Sequence, residues 1–374
     1  MDSSFLHAKR MTSLPWCLHA PWVSSVRQAG TGAYRIKGVR LLRTTKQIME
    51  AIEMKKFFTR LACLIPLLML VSPMSALAVY PERTIRLVVA FSAGGPTDLA
   101  ARLVADEWSK VLGQTVIVEN RTGAHGQIAT MEAARANPDG YTLYLAASGV
   151  TVIGPAVYES LPYDMERDFE FIGGVVNYSH VLVTSNTGRI NNVDDIFNLS
   201  RTPEGIRAAT VGHTNDLAIE WLNIIEDAKI ERIPYRGHAV AFIDLVADRI
   251  DMAMIAPNVA MPLREKGQVK ILALTDTVRT ADMHDIPSMS ELGYPEYNVS
   301  VFSGVVAPKG TPAEIVKKLE ETLQIALDNE ELKKKIEESG QVIISGSGDE
   351  FRQRVSSEVV HWSEVAKAAN IQIK

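Results

Sequence analysis

The sequence predicts an α/β protein of two lobes, each containing a doubly wound sheet flanked by helices. Two observations support this fold class. Segments with the pattern of strands alternate with segments of helical periodicity, and the alternation occurs twice along the chain. The chain has 374 residues, of which 47% are hydrophobic and 22% are charged. This is an ordinary globular composition, and the length is sufficient for two cores.

The first alternation lies between residues 85 and 147. Leu99, Leu103 and Val104 recur at helical spacing, and Gly113 is suited to end the helix that contains them. The sequence Asn-Pro-Asp-Gly at 137–140 is a turn signal. The predicted strands are 85–91, 116–119 and 141–147, and the predicted helices are 96–112 and 127–136. This order of elements predicts parallel strands joined by right-handed crossovers.

The second alternation continues the chain and leads back to the first lobe. Its predicted strands are 181–184, 208–211, 230–233, 249–255 and 269–274, and its predicted helices are 216–225 and 239–246. After a strand at 301–307, Thr311 is the expected N-cap of a long helix, with Pro312 at N1 and Glu314 at N3. Two more helices are expected around 329–339 and 349–370. We therefore assign 79–178 and 302–374 to lobe 1, and 179–301 to lobe 2.

The N-terminal part of the chain has the pattern of a secretion signal. Residues 54–60 are basic, 61–71 are an apolar run too short to span a bilayer, and Ser-Ala-Leu-Ala follows at 75–78. We expect a signal peptide at 54–78, cleavage after Ala78 and a periplasmic mature protein. A buried helix or a membrane anchor is the alternative, which Pro66 and Pro73 disfavour. Residues 1–53 have no domain pattern and precede a suitable initiator at Met54, so we expect them to be a non-native extension.

Removal of this segment makes the chain strongly acidic. Residues 1–78 contain 11 basic and 3 acidic residues, so the mature chain keeps 28 basic and 41 acidic residues, a net charge of −13. Such a protein is a poor binder of nucleic acid or of anionic membranes. Both cysteines, Cys17 and Cys63, lie in the removed segment. The mature protein therefore has no disulfide, no thiolate nucleophile and no cysteine metal site.

The turn between the first strand and the first helix is suited to receive an anion. It reads Phe-Ser-Ala-Gly-Gly-Pro-Thr-Asp at 91–98, and a second turn of the same kind lies at 120–127. Ligands of open α/β sheets bind beyond the carboxyl ends of the strands, where helix N-termini present unpaired N–H groups. Two facing helix starts could hold one carboxylate through backbone donors. The glycine pair also suits a simple turn, and we rank Asp98 as a helix cap before a ligand contact.

An ordered series of motifs resembles one family. The motifs are Tyr-Pro at 80–81, "IRLVVAFSAGGPTDLAARLVA", "LGQTVIVENRTGAHGQIA", "ANPDGYTLYLAAS", "LPYDMERDF", "IPYRG" and "APKGTPAEIVKKL". Each motif alone is weak, whereas the series from about residue 80 to residue 371 is specific. It resembles the receptor family of tripartite tricarboxylate transporters, the Bug or TctC-like extracytoplasmic solute-binding proteins of bacteria.

The resemblance implies a two-lobed periplasmic-binding-protein fold of type II, with the ligand in the cleft between the lobes. The implied ligands are small organic acids: di- and tricarboxylates, acidic amino acids or aromatic carboxylates. The implied partners are membrane permease subunits, to which a closed and loaded receptor delivers its ligand. We expect a monomer without enzymatic activity, with no nucleic-acid partner, no cofactor and no metal.

The resemblance also implies that the first two turns hold the ligand carboxylate, partly through water. Further contacts are implied after the third strand and from lobe 2. The implied ligand-binding residues are Phe91, Ser92, Ala93, Gly94, Gly95, Thr97 and Asp98 in the first turn, Gly123, Ala124, His125, Gly126 and Gln127 in the second turn, Ser148, Gly149 and Thr151 after the third strand, and Gly212, His213, Thr214, Asn215, Ala256 and Asn258 in lobe 2.

The chain departs from the family pattern where the rest of the ligand would be read. His125 stands where the second turn of the family often has a glycine, and the lobe 2 loop at 210–215 has fewer glycines than usual. Ile255 and Ala256 stand where the family often has aspartate and asparagine. We therefore infer a ligand whose distal part is less cationic or more apolar than that of an acidic amino acid.

Other classes of function are less well supported. Ser148 and Ser179 do not stand in the G-x-S-x-G pattern of a hydrolase. The histidines are scattered without H-x-x-x-H spacing, which disfavours a zinc site, and the phosphate-binding glycine motifs are missing. A periplasmic sensor that presents a carboxylate to a membrane kinase remains an alternative. The neighbouring genes would separate a sensor from a transport receptor.

Overall fold

The computed structural model describes residues 80–235 and 238–373, together with residues 49, 53 and 54. Apart from those three positions, the predicted signal peptide and the predicted extension lie outside the described residues. So do Arg236 and Gly237 of the "IPYRG" motif. The described residues from 80 onward belong to one compact unit. Within the described residues, no helix combines the length and the apolar composition that crossing a bilayer requires.

Eleven strands are described, and they form two sheets. The strands are β1 (Ile85–Val89), β2 (Val116–Asn120), β3 (Thr142–Ala147), β4 (Phe169–Ser179), β5 (Val181–Ser185), β6 (Ile206–Thr210), β7 (Ile230–Pro234), β8 (Met252–Ile255), β9 (Val269–Leu274), β10 (Ser300–Pro308) and β11 (Val342–Ser347). We use lobe 1 for the sheet β11-β4-β10-β3-β1-β2 and lobe 2 for the sheet β7-β6-β8-β5-β9.

Helices join and cover these strands. They are α1 (Pro96–Leu112), α2 (Gln127–Ala134), α3 (Ser148–Thr151), α4 (Ile153–Val157), α5 (Met165–Asp168), α6 (Val193–Ser200), α7 (His213–Glu226), α8 (His238–Val246), α9 (Pro257–Glu265), α10 (Ala313–Leu327), α11 (Glu330–Glu338) and α12 (Gly348–Ala368). Capping residues in the sequence mark the ends of several helices. Helix α1 begins at Pro96 and ends at Gly113, whose φ of 68° suits glycine. Helix α12 begins with a capping box between Ser347 and Glu350.

Each sheet combines the predicted parallel strands with antiparallel ones. In lobe 1, β1 pairs in parallel with β2 and β3. The late strand β10 lies between β3 and β4 and is antiparallel to both. In lobe 2, β6 is parallel to β7 and β8, while β5 is antiparallel to β8 and β9. The predicted α/β class with two sheets is confirmed, and the carboxyl ends of β1, β2 and β3 meet at one edge.

The structure differs from the sequence prediction at one helix start and in two strands. Thr311 is not an N-cap: its hydroxyl donates to the carbonyl of Pro308 at 2.7 Å. Helix α10 starts at Ala313, and Pro312 occupies the N-cap position without a side-chain cap. Strands β4 and β11 were not predicted. Their sequences carry glycines that resemble loop signals. These glycines belong to the sheet, because a Cβ at Gly173 or Gly174 would lie less than 3 Å from a carbonyl oxygen of β11.

The two lobes share a continuous apolar core, to which α12 of the C-terminal region contributes. The core cluster includes Tyr144 and Phe169 of lobe 1 together with Met252 of lobe 2. At the surface where the lobes meet, Trp221 of α7 lies 5.4 Å from Trp362 of α12, measured between ring centroids. Helix α7 and helix α12 are therefore joined by aromatic packing.

A buried hydrogen bond fixes α1 against α10. Trp108 is fully buried, and its indole Nε1 donates to the Thr322 hydroxyl at 3.0 Å. We expect Thr322→Val to lower the free energy of unfolding by about 1–3 kcal/mol, because it leaves a buried N–H without an acceptor. Thr322→Ser keeps the hydroxyl and should cost less. Urea denaturation of both variants measures the difference, and equal loss in both would contradict the role of this hydrogen bond.

Candidate functional site

A cavity of about 510 Å³ lies between the lobes, beyond the carboxyl end of β1. Its volume is within the range of small-molecule sites. Both lobes contribute to its wall. The lining residues are Phe91, Ser92, Gly95, Pro96, Thr97, His125, Ala147, Gly149, Tyr178, His180, Val211, Gly212, His213, Thr214, Asn215 and Val301. Ten of the predicted ligand-binding residues therefore meet around one cavity.

The first turn delivers the start of α1 to the cavity. Ser92, Gly95 and Thr97 line it, whereas Ala93 and Gly94 lie outside the lining. The N-cap Gly95 has an extended backbone and no side-chain cap. The first amides of a helix lack intrahelical acceptors and carry partial positive charge. This end of the cavity can therefore bind an anion through backbone N–H groups and hydroxyls.

Asp98 supports the first turn from behind the cavity. Its side chain is almost fully buried, and Oδ2 accepts the backbone N–H of Gly94 at 2.9 Å. Oδ1 accepts Asn120 Nδ2 at 2.8 Å, and Arg102 pairs with both oxygens. Burial alone would raise the pKa of Asp98, but the hydrogen bonds from Arg102, Gly94 and Asn120 lower it below its ordinary value. Asp98 is outside the cavity lining.

The second turn contributes one side chain to the lining, that of His125. Gly123, Ala124, His125 and Gly126 all have positive φ, and His125 itself has φ 51° and ψ 35°. Left-handed backbone at a non-glycine residue is uncommon and marks a constrained loop. Gln127 begins α2 and forms a hydrogen bond with Tyr158, which partly offsets the rise in the pKa of Tyr158 caused by burial.

The segment after β3 brings Gly149 to the cavity. A Cβ at Gly149 would lie 3.4 Å from the Thr214 hydroxyl of lobe 2, so the lobes are close here. The neighbouring predicted residues have other contacts. The Ser148 hydroxyl accepts the backbone N–H of Phe302 at 3.3 Å. Thr151 donates to the carbonyl of Ala147 and lines an adjacent cavity of about 450 Å³.

Lobe 2 places the start of α7 opposite the start of α1. Gly212, His213, Thr214 and Asn215 line the cavity. Asn215 is buried, and its amide holds the loop by accepting Val211 N at 3.2 Å and donating to the Met254 carbonyl at 3.3 Å. The predicted residues Ala256 and Asn258 are outside the lining. They begin α9, whose Pro257 and Asn258 approach Gly340 of lobe 1.

Side chains of the two lobes meet across the cleft at His213. Its ring lies 4.6 Å from the ring of His125, between centroids, at an interplanar angle of 36°. Its Nε2 is 3.2 Å from the Tyr158 hydroxyl of lobe 1, and its Nδ1 is 3.5 Å from Asp216 Oδ2. Burial acts to raise the pKa of Asp216, but hydrogen bonds from His213 and Thr210 and the charge of Arg232 lower it.

Six lining residues were not predicted from the sequence. Pro96, Ala147 and Val211 adjoin predicted positions. Tyr178 lies at the end of β4, His180 lies between β4 and β5, and Val301 lies on β10. No local signal marks these three, because their place depends on pairing between β4 and β10, which are more than 100 residues apart. Phe91, Tyr178 and Val301 give the cavity lining an apolar and aromatic part, which we call the aromatic wall.

The chemistry of the cavity suits binding of an anion by neutral donors. Among its described lining residues there is no lysine, arginine, aspartate or glutamate. In the described part of the chain, no group of three or more histidine, cysteine, aspartate or glutamate side chains could hold a metal ion. The donors present are helix-start amides, hydroxyls, imidazoles and the Asn215 amide. These groups can orient a small carboxylate while the aromatic wall covers its carbon skeleton.

Known proteins resemble this chain over most of its length. Protein BugT of Bordetella pertussis is 30% identical over 312 residues, which cover 81% of this chain and 94% of that protein. The structure of an R. palustris protein with adipate has a TM-score of 0.71 and 30% identity, covering 78% of this chain and 99% of that chain. The periplasmic binding protein BugD has a TM-score of 0.69 and 32% identity, covering 79% and 100%.

The family model described as "Tripartite tricarboxylate transporter family receptor" matches residues 100–371. The match includes α1 from Ala100 onward, both sheets except β1, and the lobe 2 side of the cavity. It agrees with the resemblance carried by the ordered motifs. The chain therefore belongs to the TctC family of tripartite tricarboxylate transporter receptors, which are solute-binding receptors.

Proposed function

We propose that this protein is a periplasmic receptor that captures a small organic carboxylate in the cavity between its lobes and delivers it to a tripartite tricarboxylate-type membrane permease. The observation that carries the proposal is the meeting of the α1 and α7 starts around one cavity of about 510 Å³. Helix starts bind anions without a basic side chain. This suits a chain whose overall charge is acidic.

The carboxylate is bound by the start of α1, with Ser92, Gly95 and Thr97 around it. The α7 segment at 212–215 contacts the same ligand from lobe 2. A ligand that touches both lobes stabilises the closed arrangement relative to an open one, and the lobes move about the crossings near His180 and Val299. The lobe limits 79–178, 302–374 and 179–301 describe the units of this motion. The receptor acts as a monomer.

The remaining part of the ligand lies against Phe91, Tyr178 and Val301. The described lining residues include no carboxylate side chain that could pair with an ammonium group. This supports a ligand with an apolar or anionic distal part over an acidic amino acid. Adipate, the compound present with the R. palustris protein, has that chemistry.

A thermal-shift screen of organic acids tests the proposed ligand class. The full chain is expressed, and the exported protein is purified from the periplasm and sequenced at its N-terminus, where Val79 is expected. Adipate and related carboxylates should raise the melting temperature, since a ligand 100-fold above its Kd adds about 2.7 kcal/mol. Aspartate and glutamate should have smaller effects. A larger shift with these amino acids, or no shift with any carboxylate, would contradict the proposal.

Binding alone does not separate delivery to a permease from presentation to a sensor kinase. Deletion of the adjacent permease genes should abolish uptake of the ligand identified by the screen. Retained uptake, with loss of a ligand-induced transcriptional response on deletion of a kinase gene, would favour the sensor. Turnover of a carboxylate ester by the purified protein would favour a hydrolase.

A further inference from the structure

His125 and His213 form a pair that joins the two lobes at the cavity. Both residues line the cavity, and their ring centroids are 4.6 Å apart. His125 comes from the second turn of lobe 1, where its left-handed backbone is fixed between two other residues of positive φ. His213 is the first residue of α7 in lobe 2. The contact therefore forms only when the lobes are close.

The two imidazoles have different surroundings. His213 has partners at both ring nitrogens, the Tyr158 hydroxyl at 3.2 Å and the Asp216 carboxylate at 3.5 Å. Its ring is thereby fixed, and it offers a face to His125. His125 is exposed, and its ring rests on that face. The arrangement places a fixed ring behind a ring that is open to the cavity.

Few other groups near the pair can change charge. The described lining contains the imidazoles of His125, His180 and His213 and the phenol of Tyr178. His180 is buried, at the crossing between the lobes, and its ring lies 5.7 Å from the ring of Tyr178. Around His213 stand Tyr158 of lobe 1, Asp216 of α7 and, 3.6 Å beyond Asp216, Arg232 of β7. A positive charge in the cavity lining must therefore come from an imidazole.

We propose that His125 takes up a proton from solvent when an anionic carboxylate binds, and that His213 positions the His125 ring for this contact. The inference rests on the proposed function, since it concerns the same cavity and the same class of ligand. It assigns the receptor a proton-coupled step at the cavity between the lobes.

The direction of the pH effect follows from linkage. A bound anion stabilises a protonated imidazole more than a neutral one, so binding draws a proton onto the ring. By reciprocity, protonation strengthens ligand binding. Free imidazoles change charge close to pH 6.5, whereas carboxyl groups do so near pH 4–5. Between pH 6.5 and pH 8.5 the ligand stays dianionic, and its affinity should fall as the pH rises.

Calorimetric titration with adipate measures this coupling. The exported protein is titrated at pH 7.0 in two buffers with different ionisation enthalpies, and the difference in the observed heats gives the number of protons taken up. We expect a fraction of one proton per adipate bound, and a Kd about tenfold weaker at pH 8.5 than at pH 6.5. Equal observed heats in the two buffers, together with a Kd that does not depend on pH, would overturn the proposal.

Three variants assign the proton to a residue. His125→Asn keeps a side chain that tolerates left-handed backbone but cannot titrate in this range, and it should abolish the proton uptake. His284→Asn is the matched control, because His284 is exposed and lies outside the cavity lining. It should leave uptake and affinity unchanged. His213→Phe keeps an aromatic face for His125, and it should weaken binding severalfold while the pH dependence persists.

The outcomes separate His125 from its neighbours. Uptake that survives in His125→Asn would place the proton on His180 or His213 and overturn the proposal. Loss of uptake in both His125→Asn and His213→Phe would assign the proton to the pair and overturn the assignment to His125 alone. Failure of the proposed function is distinct, since wild-type protein would then give no binding heat with any carboxylate at any pH.

Discussion

The variant Gly95→Leu is expected to weaken adipate binding more than 100-fold while changing the free energy of unfolding by no more than about 1 kcal/mol. Gly95 lines the cavity at the start of α1, so an isobutyl group there occupies ligand volume and covers the helix-start amides. The backbone tolerates the substitution. Gly95 has φ −77°, which any residue can adopt. The atom nearest to a Cβ added at Gly95 would be the Ser92 carbonyl oxygen, at an ordinary contact distance of 3.5 Å.

A matched control lies two residues earlier in the same turn. Ala93 is exposed and outside the cavity lining, so Ala93→Leu should bind adipate as wild type does. Titration calorimetry measures both affinities, and urea denaturation measures both stabilities. Wild-type affinity in Gly95→Leu would mean that the first turn joins a strand to a helix without contacting ligand. Equal loss in both variants would point to a general disturbance of the turn.

The variant Asp98→Asn is expected to lower the free energy of unfolding by about 1–3 kcal/mol, because the buried carboxylate would no longer accept the hydrogen bonds that hold the first turn, whereas its ion-pair partner Arg102 is half exposed. The carboxylate accepts hydrogen bonds from Gly94, Asn120 and Arg102. An amide has one oxygen and one NH₂ group, so either orientation turns a donor toward donors. The turn would loosen, but adipate binding should change less than tenfold because Asp98 is outside the lining.

This variant also has an expected pH signature. The pKa of Asp98 is lowered in the folded protein, so its contribution to stability is present above the ordinary value of 3.8 and is lost as the pH falls through the folded value. The difference in stability between wild type and Asp98→Asn should therefore narrow below about pH 4. Denaturation curves at several pH values test this. Unchanged stability together with loss of adipate binding would instead make Asp98 a ligand contact.

Local sequence signals predicted the elements that carry the first turn. Helix α1 has the predicted limits, because Pro96 and Gly113 mark its ends and an apolar face runs between them. The turn at 91–97 followed from the rule that ligands bind beyond the carboxyl ends of parallel strands. The second turn was predicted as a set of five ligand-binding residues, of which His125 lines the cavity. The backbone conformation that points one residue inward has no signal in the residue types.

Contacts that depend on distant pairing escaped prediction. Strand β4 carries Gly173 and Gly174, which interrupt its apolar pattern, and these positions require glycine because carbonyl oxygens of β11 approach them closely. Tyr178 follows these glycines and reaches the cavity because β4 runs beside β10. The predicted contacts of Ala256 and Asn258 were carried by resemblance alone, and α9 faces Gly340 instead of the cavity lining.

The position of β10 has a consequence for biogenesis. The five strands of lobe 2 are contiguous between Val181 and Leu274, so that sheet can form as soon as they are available. Lobe 1 must wait for β10, which ends at Pro308 and fills the gap between β3 and β4. Until then, the edge of β3 is an open template for strand addition. A chain that emerges from its N-terminus thus exposes this edge from the completion of β3 at Ala147 until Pro308 has emerged, and chaperone protection is most valuable in that interval.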